Sequence, residues 1–278
     1  LSQDFLEEYG EVTKVEDGII DFTPFEGPND NRYGLDNLVR LLKDEDLANW
    51  PHEVSSHFSK FFSNVELGYD QGVFEQIKDI LSIRVYPDSY FEELHMEGKL
   101  VFKVDFEDTK STLVFDYPDK FEPVLREYFD KWNVSEEFAF SIAMDRVNQY
   151  EIRLGKKEFE SGFDQFSFFS STYSAAFLLD FERNAKMCIG KFGALVNIPT
   201  HGSAFAVPID VNNVPEIISE TQETINRFFD EDPGQINTNY YWYYARKFVK
   251  FQTSPKSDGY CNLHIPVDLV NLLKQAGK

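Results

Sequence analysis

Residues 193–230 read GALVNIPTHGSAFAVPIDVNNVPEIISETQETINRFFD, and this stretch decides the fold class. Two short apolar runs, 194–199 and 204–210, flank the turn Thr200-His201-Gly202-Ser203, which is the spacing of a β-hairpin. Beyond them Val214, Ile217, Ile218, Thr221, Ile225, Phe228 and Phe229 recur at intervals of three and four, so one apolar stripe runs along a helix. Asn212 or Asn213 offers a cap for the free N–H groups of its first turn, where Pro215 sits at no cost because that position has no helical acceptor. Gly202 is the residue expected to carry a positive φ in the turn.

The same order of strand, turn, strand and helix recurs on either side of an irregular spacing. Residues 11–15 and 19–25 are separated by Glu16-Asp17-Gly18, an Asp-Gly hairpin signal, and lead into a helix through Leu35, Leu38, Val39 and Leu42. Residues 100–106 alternate apolar and polar side chains, turn at Glu107-Asp108-Thr109-Lys110, return over 112–117 and continue into a helix with Phe121, Val124, Leu125, Phe129 and Trp132. Further helices are predicted over 52–62, 71–83, 136–147 and 174–189, and strands over 150–159, 239–251 and 261–265; 163–173 fits neither period. A closing helix follows Pro266. The expectation is an α+β fold of three strand-turn-strand-helix units, with antiparallel sheets and helices packed on one face. Residues 1–98 form the expected N-terminal region and 99–278 the region holding the other two units, an aromatic strand and the last helix.

With 278 residues, 42% apolar and 16% aromatic, the chain has enough material for a sizeable core. Its net charge of −21 opposes phosphate polymers, whose affinity for proteins comes largely from Lys and Arg, so duplex nucleic acid is not an expected partner. A basic protein is. No run reaches the roughly 18–20 apolar residues of a membrane-spanning helix. Cys188 and Cys261 make no CxxC pair and are read as free, buried thiols, with one disulfide as the alternative.

The chemistry-bearing residue types do not converge in sequence. His52, His57, His95, His201 and His264 form no HExxH or HxH pattern, and His52 and His57 point about 140° apart on a helix. Neither a metal nor a cofactor is therefore expected, and both glycine-rich phosphate loops are absent. Residues 230–239, DEDPGQINTN, lack the spacing and terminal Glu of a calcium loop. His201-Gly202-Ser203 resembles a nucleophile cluster but sits between two strands, not at the strand-to-helix elbow of G-x-S-x-G hydrolases. The densest unusual composition is YYWYYARKFVK at 240–250. As one continuous strand it would set Tyr240, Trp242, Tyr244 and Arg246 on one face and Tyr241, Tyr243 and Lys247 on the other, either as a buried strand or as an aromatic and basic interface.

Three stretches, LDNLVRLL, IRVYPDSYFEEL and LLDFERNAKMCIGKFGALVNIPTHGSAFAVPID with its helix ending TINRFFDE, together resemble the YtpQ-like family of uncharacterised bacterial proteins. The resemblance implies an intracellular α+β protein and brings no catalytic set. The compartment it implies is the bacterial cytoplasm, with export left open because the sequence starts at Leu1 without Met. The functional expectation is a non-catalytic protein-interaction, inhibitor or immunity-type module, with Tyr240, Trp242, Tyr244, Arg246, Lys247 and His201 as candidate binding residues. The alternatives are a hydrolase assembled in space around His201 and a single-strand nucleic-acid binder using residues 240–250.

Overall fold

The computed structural model describes residues 1–16, 18–25, 31–43, 45–63, 69–93, 98–118, 120–255 and 261–276. Asp17, residues 26–30, Asp44 and His95 lie outside these. The chain divides into two units: Leu1–Tyr69 with Tyr117–Phe121 and Asp232–Gly234, and Asp70–Asp116 with Glu122–Glu231 and Gln235–Lys278.

In the first unit α1 (Ser2–Leu6) precedes a three-stranded antiparallel sheet in the order β1 (Gly10–Glu16), β2 (Ile19–Pro24), β3 (Asn31–Gly34), followed by α2 (Asp36–Lys43) and α3 (Trp50–Ser63). Alternation along β2 buries Ile20 and Phe22, and these meet Tyr33 together with Leu6, Leu38, Leu42, Val54 and Phe58 from the helices. Gly18 takes the hairpin turn with φ 76°.

The second unit begins with α4 (Phe74–Ile77), β4 (Leu81–Pro87), α5 (Asp88–Glu93), β5 (Phe102–Lys103), β6 (Thr109–Asp116), β7 (Phe121–Pro123), α6 (Arg126–Phe129) and α7 (Glu136–Val147). It continues through β8 (Arg153–Glu158), β9 (Asp164–Phe169), α8 (Ser174–Phe177), α9 (Phe181–Asn184), β10 (Ala194–Thr200), β11 (Ser203–Pro208) and α10 (Val214–Glu231). The last elements are β12 (Tyr241–Tyr244), β13 (Lys247–Lys250), β14 (Gln252–Pro255), β15 (Cys261–His264) and α11 (Val267–Ala276). Six strands form one antiparallel sheet in the order β13-β12-β10-β11-β9-β8, and a second sheet runs β4-β6-β5.

β10 and β11 lie at the centre of the larger sheet, and nearly all their residues are buried. Leu195, Val207 and Trp242, which are neighbours across β10, β11 and β12, face Val214 and Ile217 of α10 and Leu269 and Leu273 of α11. Burying each such side chain contributes about 1.5–3 kcal/mol. The opposite face receives rings from the helical stretch after β9: Phe177 lies 6.2 Å from Phe168, and Phe181 lies 4.3 Å from Tyr243.

Several elements differ from the sequence reading, each for a physical reason. Residues 71–83 are a single helical turn, a 3₁₀ turn and then β4, not one helix. β4 is buried along six of its seven residues, so its apolar side chains do not alternate, and Val73, Ile77, Ile80 and Leu81 match a helical period by coincidence. The segment 121–132 is likewise β7 and one helical turn. Residues 174–189 are broken into two short helices and two 3₁₀ turns. β9 (Asp164–Phe169) lies within the stretch that fitted neither period, paired along its two edges with β8 and β11.

Caps also differ. Ser135 accepts the Phe138 N–H at 3.2 Å and starts α7, whereas the Asn213 side-chain oxygen is buried without a hydrogen-bond partner and caps nothing. Cys188 is free and buried, and burial pushes its thiol up to about 12; the Cys261 side chain lies outside the described residues.

Candidate functional site

The stretch read as one aromatic strand is a tight hairpin. β12 and β13 pair Tyr241 with Lys250, Trp242 with Val249, Tyr243 with Phe248 and Tyr244 with Lys247, which leaves Ala245 and Arg246 as the two turn residues. Both have positive φ, 48° and 64°. A two-residue hairpin loop with both residues in that region is the favoured type, but Asn-Gly normally supplies it. A side chain there costs roughly 1–2 kcal/mol. Ala245→Gly is accordingly expected to stabilise the second unit by about 1 kcal/mol, read as a rise of a few degrees in thermal midpoint.

The turn also changes where the candidate binding residues point. Tyr240 and Trp242 are core residues, 4% and 3% exposed. The Trp242 indole N–H donates to the Phe192 carbonyl at 2.7 Å, and the Tyr240 hydroxyl lies 3.0 Å from Thr221 Oγ1. Neither ring offers a face for stacking a base. Tyr244 is 39% exposed and lies parallel to Trp242 with centroids 5.0 Å apart. Arg246 and Lys247 are exposed at the tip.

His201 is buried at 3% exposure, with its ring edge-on to Tyr86 at 5.2 Å. Ser203 is engaged with Thr200, hydroxyl to hydroxyl at 2.7 Å and through its N–H at 3.0 Å. This turn is therefore packed into the protein and presents no nucleophile to solvent. Gly202 does not take a positive φ, whereas Gly193, immediately before β10, does, at 88°.

A groove of about 560 Å³ opens beside the β12–β13 tip. One wall is formed by Val104 and Asp105, another by residues 179–182, and the third by Tyr243 and 246–248. Its floor is aromatic: Phe181 and Tyr243 are 4.3 Å apart, and Tyr243 and Phe248 4.9 Å. Three carboxylates, Asp105, Asp180 and Glu182, and two cations, Arg246 and Lys247, surround it. Two of the acidic side chains are held in place. Tyr243 donates to Glu182 at 3.0 Å and Asn148 donates to Asp180 at 3.1 Å. Burial, then the bond to Glu182, pushes the Tyr243 phenol up to about 12, so it stays a donor throughout the physiological range.

Two of the six candidate residues, Arg246 and Lys247, thus line the groove, while Tyr240, Trp242 and His201 are buried away from solvent. Besides Tyr243 and Phe248 of the same hairpin, the lining residues come from 104–105 and 179–182, which only the fold brings together. The lining contains no histidine, cysteine, serine or threonine. Among the described residues no group of three or more His, Cys, Asp or Glu side chains is arranged to hold a metal ion, and no helix is long and apolar enough to cross a membrane. Set against protein-family models, curated proteins and solved structures, the chain matches none.

Proposed function

We propose that this protein is a non-catalytic protein-interaction module that takes a basic segment of another protein into the groove beside Arg246. The observation that carries this reading is the groove's composition: an aromatic floor beneath three carboxylates, two of them held by hydrogen bonds. A Lys or Arg side chain entering it would meet ring faces and carboxylates together, and each contact favours a cation. Arg246 and Lys247 at the rim would bind an acceptor on the same segment, which gives the contact a direction. The left-handed backbone at Ala245 and Arg246 supports the same site, since such strain is retained where a side chain must be held in a particular place. An inhibitor or immunity-type role is one form of this reading, and the resemblance to YtpQ-like proteins adds no activity to it.

The test is binding of an Arg/Lys-rich peptide at stepped ionic strength. Because a chain of charge −21 attracts any polycation, the informative comparison is between variants. Asp180→Asn with Glu182→Gln is expected to weaken binding about 5- to 30-fold, by analogy with truncating a partly desolvated charge pair. Glu216→Gln with Glu223→Gln on α10 removes the same charge elsewhere and is expected to change it less than twofold. Equal losses for the two pairs, or no retention of the peptide at low salt, would refute a site in this groove.

A further inference from the structure

The larger sheet ends on β8, which among the described residues pairs only with β9. In an antiparallel ladder every second residue turns its N–H and C=O away from its neighbour, so about half of the six β8 residues direct backbone donors and acceptors to solvent. The strand is exposed at five of its six positions, with Gly155 intermediate. At the opposite end of the sheet, β13 is engaged by the β5–β6 loop: Lys250 pairs with Asp108, and Phe106 packs 4.2 Å from Phe248.

In a chain with net charge −21, β8 reads Arg153-Leu154-Gly155-Lys156-Lys157-Glu158. Lys156 pairs with Asp164 at 2.8 Å in an exposed contact. Among the described residues no carboxylate pairs with Arg153 or Lys157, whose cationic groups lie over Phe169 at 5.3 Å and Phe159 at 4.1 Å. Lysines on an edge strand repel a second copy of that strand, because each copy carries three basic side chains and one acidic. The same charges attract an acidic strand.

We propose that the β8 edge binds an extended acidic segment of a partner protein by antiparallel strand addition. Main-chain bonds would supply affinity and the alternating side chains register. Reading outward from Glu158 to Arg153, the partner would carry, from its N-terminus, a basic residue, two acidic residues, any residue opposite Gly155, an apolar residue opposite the 49%-exposed Leu154, and an acidic residue.

The experiment is fluorescence anisotropy of the full chain with a labelled peptide containing Lys-Glu-Glu-Thr-Val-Glu, at about 0.15 M salt, where the remaining negative charge is screened beyond roughly 8 Å. Saturable binding is expected, at least 10-fold weaker for a peptide with proline in place of threonine and at least 10-fold weaker for the exposed double variant Lys156→Glu, Lys157→Glu. The variant's far-ultraviolet circular dichroism should be unchanged. The groove substitution Glu182→Gln should leave this binding intact, which separates the two sites. If the peptide fails to bind even at 0.05 M salt (about 14 Å screening), or if the proline or scrambled peptides bind equally well, strand addition at β8 is ruled out.

Discussion

Gly193→Ala is expected to lower the thermal midpoint of the second unit by about 10–20 °C, or to prevent that unit from folding. A methyl group at this position would lie 2.0 Å from the Tyr243 carbonyl oxygen and 3.0 Å from the Trp242 indole nitrogen. Neither neighbour is the free end of a flexible side chain. The carbonyl belongs to β12, whose pairing with β10 begins at the adjacent pair Ala194 and Tyr243. The indole is committed to the Phe192 carbonyl at 2.7 Å. Gly193 itself has φ 88°, where any side chain adds about 1–2 kcal/mol. Displacing β12 adds an overpacking cost of about 1–3 kcal/mol and leaves a buried indole donor unpaired for a similar amount. The sum, roughly 3–8 kcal/mol, is a large part of the roughly 5–15 kcal/mol that holds a domain together. Gly155→Ala in β8 is the matched control, since its methyl would meet Ser167 at an ordinary 3.6 Å. Thermal unfolding of the two variants decides the matter. A loss of less than 2 °C for Gly193→Ala would mean that β12 does not lie against β10 as described.

That glycine marks where the sequence was and was not readable. The hairpin and helix of residues 193–230 were legible because β10, β11 and α10 have turn residues between them and an uninterrupted helical period. The α+β class followed from that pattern. What the local pattern could not show was which glycine needed its missing Cβ. Gly202 occupies the turn, yet the close approach that demands glycine is made at Gly193 by β12, some fifty residues later. β4 was obscured by a related cause, since a strand covered on both faces loses the alternation that identifies it.

The groove was hidden more deeply. Its hairpin turn is Ala245-Arg246, with none of the Asn, Asp or Gly that signals a two-residue loop, so the sequence reads straight through it as one strand. Tyr240 and Trp242 then seem to share a surface with Arg246, whereas in the fold the first two face α10 and α11 and the third sits at the exposed tip. The carboxylates opposite belong to segments more than sixty residues away. Only the basic pair Arg246 and Lys247 carried a signal, as cations in a strongly acidic chain.

The second large effect expected is a steep loss of stability between pH 9 and pH 12. Burial raises the phenols of Tyr240 and Tyr243 to about 12 and holds those of Tyr173 and Tyr241 well above their ordinary value near 10. The Cys188 thiol is raised from 9 to about 12 by the same cause. A folded-state pKa above the unfolded one means that the unfolded chain releases its proton first. The stabilisation is therefore complete below the unfolded value and drains away as pH climbs toward the folded one. The thiol starts this at about pH 9 and the phenols at about pH 10. Each fully buried phenol removes about 1.4 kcal/mol per pH unit in that window, so Tyr173, Tyr240 and Tyr241 together remove roughly 4 kcal/mol per unit. Growing negative charge acts in the same direction, but 1 M salt, with a screening length of about 3 Å, suppresses it while leaving the burial effect in place. Chemical denaturation at stepped pH in 1 M salt should show the slope, and Tyr240→Phe should make it shallower by about 1.4 kcal/mol per unit. Phenolate absorbance gives the opposing result a clear form. If all fourteen tyrosines ionise near pH 10 while circular dichroism stays native, the phenols are not buried as described, and the aromatic core around β12 must be packed differently.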